Sequence, residues 1–234
     1  MSKAVFFDLF HTLFSFRSDG TAGTNTSDIL GIPEDAWNEL LFYSSDERLR
    51  GRQTDRYEII RKLAHSYNPG ISEEIIRKAA DLRVERFTLG LRNVKEERLN
   101  VLKELKSSGK MIGLISNADS VEVSGWRDSP LSQHFDSATF SFSTGSVKPE
   151  PKIYQIALKS LGVRPNQSIF VGDGGSDELK GAHELGFTTI LTTEIIPELW
   201  PDKIASRSTW ANYVISNLQE LTKAQPVAGG DAAR

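Results

Sequence analysis

Apolar and polar positions follow two periods along this chain, and the switches between them mark its elements. Ala4-Val5-Phe6-Phe7 is a short apolar run that stops at Asp8, as a strand buried on both faces would. Similar runs recur at Met111–Ile115, Ser137–Phe140, Ser168–Val171, Thr188–Leu191 and Tyr213–Ile215. Between them the apolar spacing changes to three and four. Leu99, Leu102 and Leu105 share a face over Arg98–Lys106, before Gly109. Ile153, Ile156, Ala157 and Leu161 do so over Pro151–Leu161, before Gly162. Leu179, Ala182 and Leu185 do so over Glu178–Leu185, before Gly186. Each reads as an amphipathic helix stopped by glycine. Strand and helix in alternation predict an α/β fold, a mostly parallel sheet covered on both faces. Ligands of such sheets bind beyond the carboxyl ends of the strands.

Residues 15–92 break this rhythm. Their apolar positions fall only on helical faces: Trp37, Leu40 and Leu41, then Ile59, Ile60 and Leu63, then Ile75, Ile76, Ala79 and Ala80. Pro69-Gly70 separates the last two, and Ser72 with Glu74 beyond it looks like a helix start. The expected organisation is a core of residues 1–14 and 93–221 with an inserted helical cap, 15–92, over the sheet's carboxyl edge. Small and polar residues dominate 222–234, which is expected to be a disordered tail.

Composition narrows the function. With 28 Lys plus Arg against 31 Asp plus Glu, the net charge of -3 disfavours a broadly basic, nucleic-acid-binding surface. The absence of cysteine excludes disulfides, thiolate nucleophiles and cysteine-ligated metals. No apolar run approaches the roughly 18–20 residues needed to span a bilayer. The first residues lack the apolar stretch of a signal peptide. A cytoplasmic protein acting on a small molecule, with neither a nucleic-acid nor a membrane partner, is therefore expected. The sequence carries no signal of oligomeric state.

Four polar positions follow apolar strands: Asp8, Ser116-Asn117, Lys148 and Asp173. In a parallel sheet their ends meet along one edge. A carboxylate, a hydroxyl, an ammonium and a second carboxylate around one cavity read as nucleophile, anion clamp, charge balance and metal ligand. The plainer alternative, solvated loop residues, is harder to sustain for four such positions than for one.

The ordered set also resembles the haloacid dehalogenase-like hydrolase superfamily, from Val5 to about Leu221. The matching motifs are Asp8-Leu9-Phe10-His11-Thr12-Leu13, Leu114-Ile115-Ser116-Asn117, Val147-Lys148-Pro149-Glu150-Pro151 and Phe170-Val171-Gly172-Asp173-Gly174-Gly175-Ser176-Asp177. The resemblance implies a Rossmann-like core and a cap of the first insertion class. It implies Asp8 as the covalent nucleophile, Ser116 and Lys148 as groups holding the transferring anion, and Thr12 and Asn117 near the substrate. Asp173 and Asp177, four residues apart across Gly174-Gly175, crowd the same cavity as Asp8. Three carboxylates repel unless a cation or a proton intervenes, and oxygen donors suit Mg2+. The metal set is thus Asp8, the backbone carbonyl of Phe10, Asp173 and Asp177. Arg48 and Arg52, from a basic cluster on the lobe, are candidates to grip an anionic substrate; a solvated helix end interlaced with Asp46 and Asp55 accounts for them equally well.

Phe10 is the departure. Phosphatases of the family carry a second Asp two residues after the nucleophile to protonate the leaving alcohol, and Phe transfers no proton. The leading expectation is Mg2+-dependent hydrolysis of a small phosphorylated metabolite through an aspartyl-phosphate. Two alternatives stay open: a metal-independent 2-haloacid dehalogenase, whose branch has an apolar residue at the Phe10 position, and a catalytically degenerate binding or regulatory protein.

Overall fold

The computed structural model describes residues 2–16 and 23–223. Six strands, β1 (Ala4–Phe7), β2 (Met111–Ser116), β3 (Ser137–Phe140), β4 (Ser168–Gly172), β5 (Thr188–Thr192) and β6 (Tyr213–Ile215), form one sheet in the order β3-β2-β1-β4-β5-β6. Every pairing is parallel, and Phe7 lies level with Leu114 on one side and Val171 on the other. Strand order runs outward in both directions from β1. The reversal therefore falls between β1 and β4, where a crevice opens at the carboxyl edge.

Side-chain alternation explains why the strands read as unbroken apolar runs. Val5 and Phe7 point into one core layer, Ala4 and Phe6 into the other, and all four are buried. Helix α6 (Glu96–Ser107) covers the first layer through Val101, Leu102 and Leu105. Helices α8 (Pro151–Leu161) and α9 (Glu178–Glu184) cover the second through Ile153, Tyr154, Ala157, Leu179 and Ala182. Burying a Phe side chain contributes about 1.5–3 kcal/mol, so Phe6 and Phe7 anchor β1 between both layers.

Between β1 and β2 the chain forms α1 (Thr26–Leu30), α2 (Glu34–Tyr43), α3 (Ser45–Leu49), α4 (Arg56–Tyr67) and α5 (Glu73–Arg92). The Asp55 side chain caps α4 by accepting from the Tyr57 and Glu58 N–H groups, and Ser72 caps α5 by accepting from Ile75 N–H. Leu30, Trp37, Ile60, Leu63, Ile76 and Ala80 build a separate apolar cluster, to which Val121 adds from beyond β2. Phe10 joins this lobe to the sheet: its ring meets Phe14 and Phe87 of α5 edge-on. The remaining short helices are α7 (Ser141–Thr144), α10 (Ile196–Leu199) and α11 (Ile204–Ser208), the last two in the connection from β5 to β6. Most of the expected disordered tail, 224–234, and positions 17–22 of the expected cap lie outside the described residues. Among the described residues no helix is long and apolar enough to cross a membrane.

Candidate active site

Three strand ends and the loop before α8 converge on a buried charge cluster. Asp8 leaves β1 with its N–H donating to Val171 O of β4 at 2.9 Å, which sets it beside the β4 end. The chain then turns back: Leu13 and Phe14 N–H donate to Leu9 O, and His11 takes a left-handed φ of 62°. That turn buries Thr12, whose hydroxyl donates to Asp8 Oδ2 at 3.3 Å. Lys148 Nζ lies 2.5 Å from Asp8 Oδ1 and 2.5 Å from Glu178 Oε2. Asn117 fixes the lysine's main chain at two points, accepting from Lys148 N–H at 2.8 Å and donating to Lys148 O at 3.1 Å.

The third carboxylate of the cluster is not Asp177, the one that the motif spacing named. Asp8, Asp173 and Glu178 form the buried acidic trio, each offering an oxygen within 4.8 Å of the others. Asp177 is exposed and stands outside that trio. Ser176 and Asp177 both adopt left-handed backbone, with φ of 53° and 50°. Two consecutive left-handed residues redirect the chain, so residue 178, opening α9, faces the strand ends instead of residue 177. Gly172 makes room for it: a Cβ there would fall 2.1 Å from Glu178 Oε1. The Glu178 carboxylate also accepts from Gly174 N–H at 3.0 Å, and Tyr154 OH donates to the Glu178 carbonyl at 2.8 Å. A carboxylate directly after Asp177 was the one visible hint of this role.

Burial raises the Asp8 carboxyl above its ordinary value, opposed by the Lys148 ammonium and reinforced by Asp173. Burial, then Asp8, pushes Glu178 well above the usual carboxylate range despite Lys148. Burial alone would lower Lys148, but Asp8 and Glu178 together carry it above a normal lysine, so it stays charged. Repulsion within the trio is therefore relieved by a proton or by a further cation beside Lys148. The trio's hard oxygen donors suit a small divalent cation.

Ser116 ends β2 fully buried, and its hydroxyl has no hydrogen-bond partner. An unmade buried hydrogen bond costs about 1–3 kcal/mol, so this group is poised for an acceptor that enters from outside. A cleft of about 390 Å³ reaches the site through Lys148: it is lined by Asn117, Lys148 and Ser176 from the sheet side and by Asn38, Leu41 and Leu49 from the lobe. That volume suits a small metabolite.

The basic cluster of the lobe is largely committed elsewhere. Arg48 is buried in the cleft wall, donating to Asp119 Oδ2 at 2.9 Å and Leu41 O at 2.7 Å, with Glu122 at 3.5 Å. Arg83 reaches the same Glu122 oxygen, Oε1, at 2.9 Å. Arg52 is exposed, pairs with Asp46 at 3.0 Å and does not line the cleft. Phe10 is absorbed in the lobe contact and brings no proton donor to Asp8. A cation that sequence reasoning passed over is Arg207 of α11, whose Nη1 lies 2.5 Å from Asp173 Oδ2. It sits 34 residues downstream of its partner, with no local pattern to mark it.

A parallel α/β sheet bearing a carboxylate–ammonium centre at its switch point, beneath a helical lobe, defines a class of hydrolase built on a strand-end aspartate. The chain belongs to the haloacid dehalogenase-like hydrolase family, whose model matches residues 2–186. It is 26% identical to a glyceraldehyde 3-phosphate phosphatase of Methanothermobacter thermautotrophicus, over 94% of this chain and 100% of that protein. It is 32% identical to the bifunctional epoxide hydrolase 2 of Rattus norvegicus over 45% of this chain, a match spanning 20% of that much longer protein. The L-2-haloacid dehalogenase of Xanthobacter autotrophicus shares the fold, with a TM-score of 0.62 and 21% identity over 95% of this chain and 98% of that one.

Proposed function

We propose that this hydrolase is a phosphatase of small phosphorylated metabolites that uses Mg2+, with residues 1–14 and 93–221 as catalytic core and 15–92 as cap. The observation that carries the reading is the buried trio of Asp8, Asp173 and Glu178, whose oxygens lie within 4.8 Å of one another. A dehalogenation that needs no metal has no use for so costly a concentration of negative charge. The archaeal phosphatase matched along its full length supports the same choice.

In this reading Asp8 Oδ2 or Oδ1 attacks phosphorus in line, the ester oxygen leaves, and water later cleaves the aspartyl-phosphate. Lys148 holds Asp8 in place and offsets charge on the transferring oxygens. The free Ser116 hydroxyl donates to one of those oxygens, and Thr12 keeps the carboxylate oriented. Asp8, Asp173 and Glu178, with the Phe10 carbonyl, would hold Mg2+, which when bound neutralises negative charge. Phe10 gives the departing oxygen no proton, so esters with good leaving groups are the preferred substrates.

A metal-independent 2-haloacid dehalogenase is the second reading, favoured by the phenylalanine at position 10. One panel separates them: phosphate release from phosphorylated sugars, trioses and aryl phosphates with Mg2+ or chelator, alongside halide release from 2-chloropropionate. The phosphatase reading expects phosphate release that stops in chelator and returns with Mg2+. Halide release undiminished by chelator, with no phosphate release, overturns it.

A further inference from the structure

Of the two cations at the acidic trio, one is built in and one can leave. Lys148 is 2% exposed, spans two carboxylates and has its main chain clamped by Asn117. Arg207 is 17% exposed and pairs with one carboxylate of the trio, Asp173. One guanidinium nitrogen serves both the Asp173 side chain at 2.5 Å and its carbonyl at 3.1 Å. The guanidinium lies over the Trp200 ring at 4.8 Å, and Trp200 meets the His11 ring edge-on at 4.9 Å. The β5–β6 connection is therefore laid across the turn that follows Asp8. The arginine's stem crosses Gly174, where a Cβ would fall 2.9 Å from Arg207 Cβ; the residue there is glycine at φ +79°.

Charge makes the two arrangements exclusive. With all three carboxylates ionised, Lys148 together with one divalent cation matches them. Arg207 added to that set would be a surplus positive charge facing the metal across a single carboxylate, in a buried setting that screens poorly. We propose that Arg207 is a resident counterion that competes with the divalent cation for Asp173, so that loading the site swings the guanidinium off both Asp173 and Trp200. The competition sets the metal concentration at which the enzyme turns on. It rests on the divalent-cation reading of the trio, and it assigns Arg207 as a positioning residue that governs metal occupancy.

The test is binding of Mn2+ to the full chain, measured as free ion by electron paramagnetic resonance, for the wild type, Arg207→Gln and Asp173→Asn. Arg207→Gln is expected to bind Mn2+ at least about tenfold more tightly than the wild type. In parallel, Mn2+ or Mg2+ added to the wild type should shift the tryptophan emission, and the Trp200→Phe and Arg207→Gln variants should lose that shift. The wild-type signal needs no variant to fold. Equal or weaker binding by a folded Arg207→Gln, or a wild-type emission unmoved at metal saturation, overturns the competition and leaves the metal-dependent reading standing. If no protein binds Mn2+ more tightly than Asp173→Asn, the metal-dependent reading falls, and the competition falls with it.

Discussion

Two buried charge networks flank the cleft, and they are built on opposite accounts of charge. In the wall between lobe and sheet, Arg48 and Arg83 face Asp119 and Glu122, two cations against two carboxylates. Asp119 Oδ1 accepts from the Val121 and Glu122 N–H groups, and Glu122 accepts from Asp119 N–H, so the two carboxylates are tied to their own backbone, while Arg48 Nε and Arg83 Nε have no hydrogen-bond partner. At the strand ends, Asp8, Asp173 and Glu178 face Lys148 and Arg207, and the Ser116 hydroxyl nearby has no partner. A network that only holds two lobes together balances itself. One that gathers three carboxylates against two cations is paying a stability cost for something that arrives from outside.

The largest effects should come from disturbing the unbalanced network. Asp8→Asn should lower turnover about 10⁴-fold or more while circular dichroism stays that of the wild type. Turnover near the wild-type rate in that variant removes Asp8 as nucleophile. Next, Glu178→Gln should cost about 10²-fold or more in turnover and weaken metal binding, while the exposed Asp177→Asn changes either by less than about threefold. The reverse ranking in phosphate-release and metal-titration assays would return the metal role to Asp177.

The balanced network should respond through stability. Arg48→Ala strands the buried Asp119 without its cation while Glu122 keeps Arg83, and breaking a buried pair in this way costs about 3–5 kcal/mol. Denaturant unfolding would measure the loss. An unchanged midpoint, joined to a raised KM, would instead return Arg48 to substrate binding.

The smallest effect concerns a second, half-exposed link from lobe to sheet. Arg50 Nη1 donates to Glu150 Oε2 at 3.1 Å and Ser146 Oγ donates to the same oxygen at 2.7 Å. The Arg50 guanidinium, then Ser146, pulls the Glu150 carboxyl down to about 2. A depressed carboxylate contributes stability above its unfolded pKa of 4.5 and loses it as pH falls toward about 2. Exposure keeps that contribution below about 1 kcal/mol. The thermal midpoint of the wild type should exceed that of Glu150→Gln at pH 7, and the gap should close between pH 4.5 and about 2. A gap that widens on acidification contradicts the link.

Asp8, Lys148 and Ser116 were legible because each comes at or after the end of a strand, and a parallel sheet brings strand ends together whatever the loops do. Phe10 was legible as a missing proton donor, but not as the ring that locks the lobe through Phe14 and Phe87. Arg48 and Arg52 looked alike as members of one basic cluster. Burial separated them: one closes a network with residues 71 and more positions away, the other pairs at the surface with Asp46.

The alternation of apolar runs with helical spacings determined the α/β sheet and the inserted helical lobe, because burial on two faces and on one stripe leaves different periods in the chain. The same pattern determined that Asp8, Ser116, Lys148 and Asp173 follow the strands. Tertiary structure alone decided that Glu178 and not Asp177 completes the trio, through two left-handed residues that carry no sequence signature beyond a Ser-Asp pair. It alone brought Arg207 to Asp173 across 34 residues. Periodicity reports which way a side chain points within its own element. It is silent on turns whose backbone sign is set by the packing around them, and on partners that meet only when the sheet has formed.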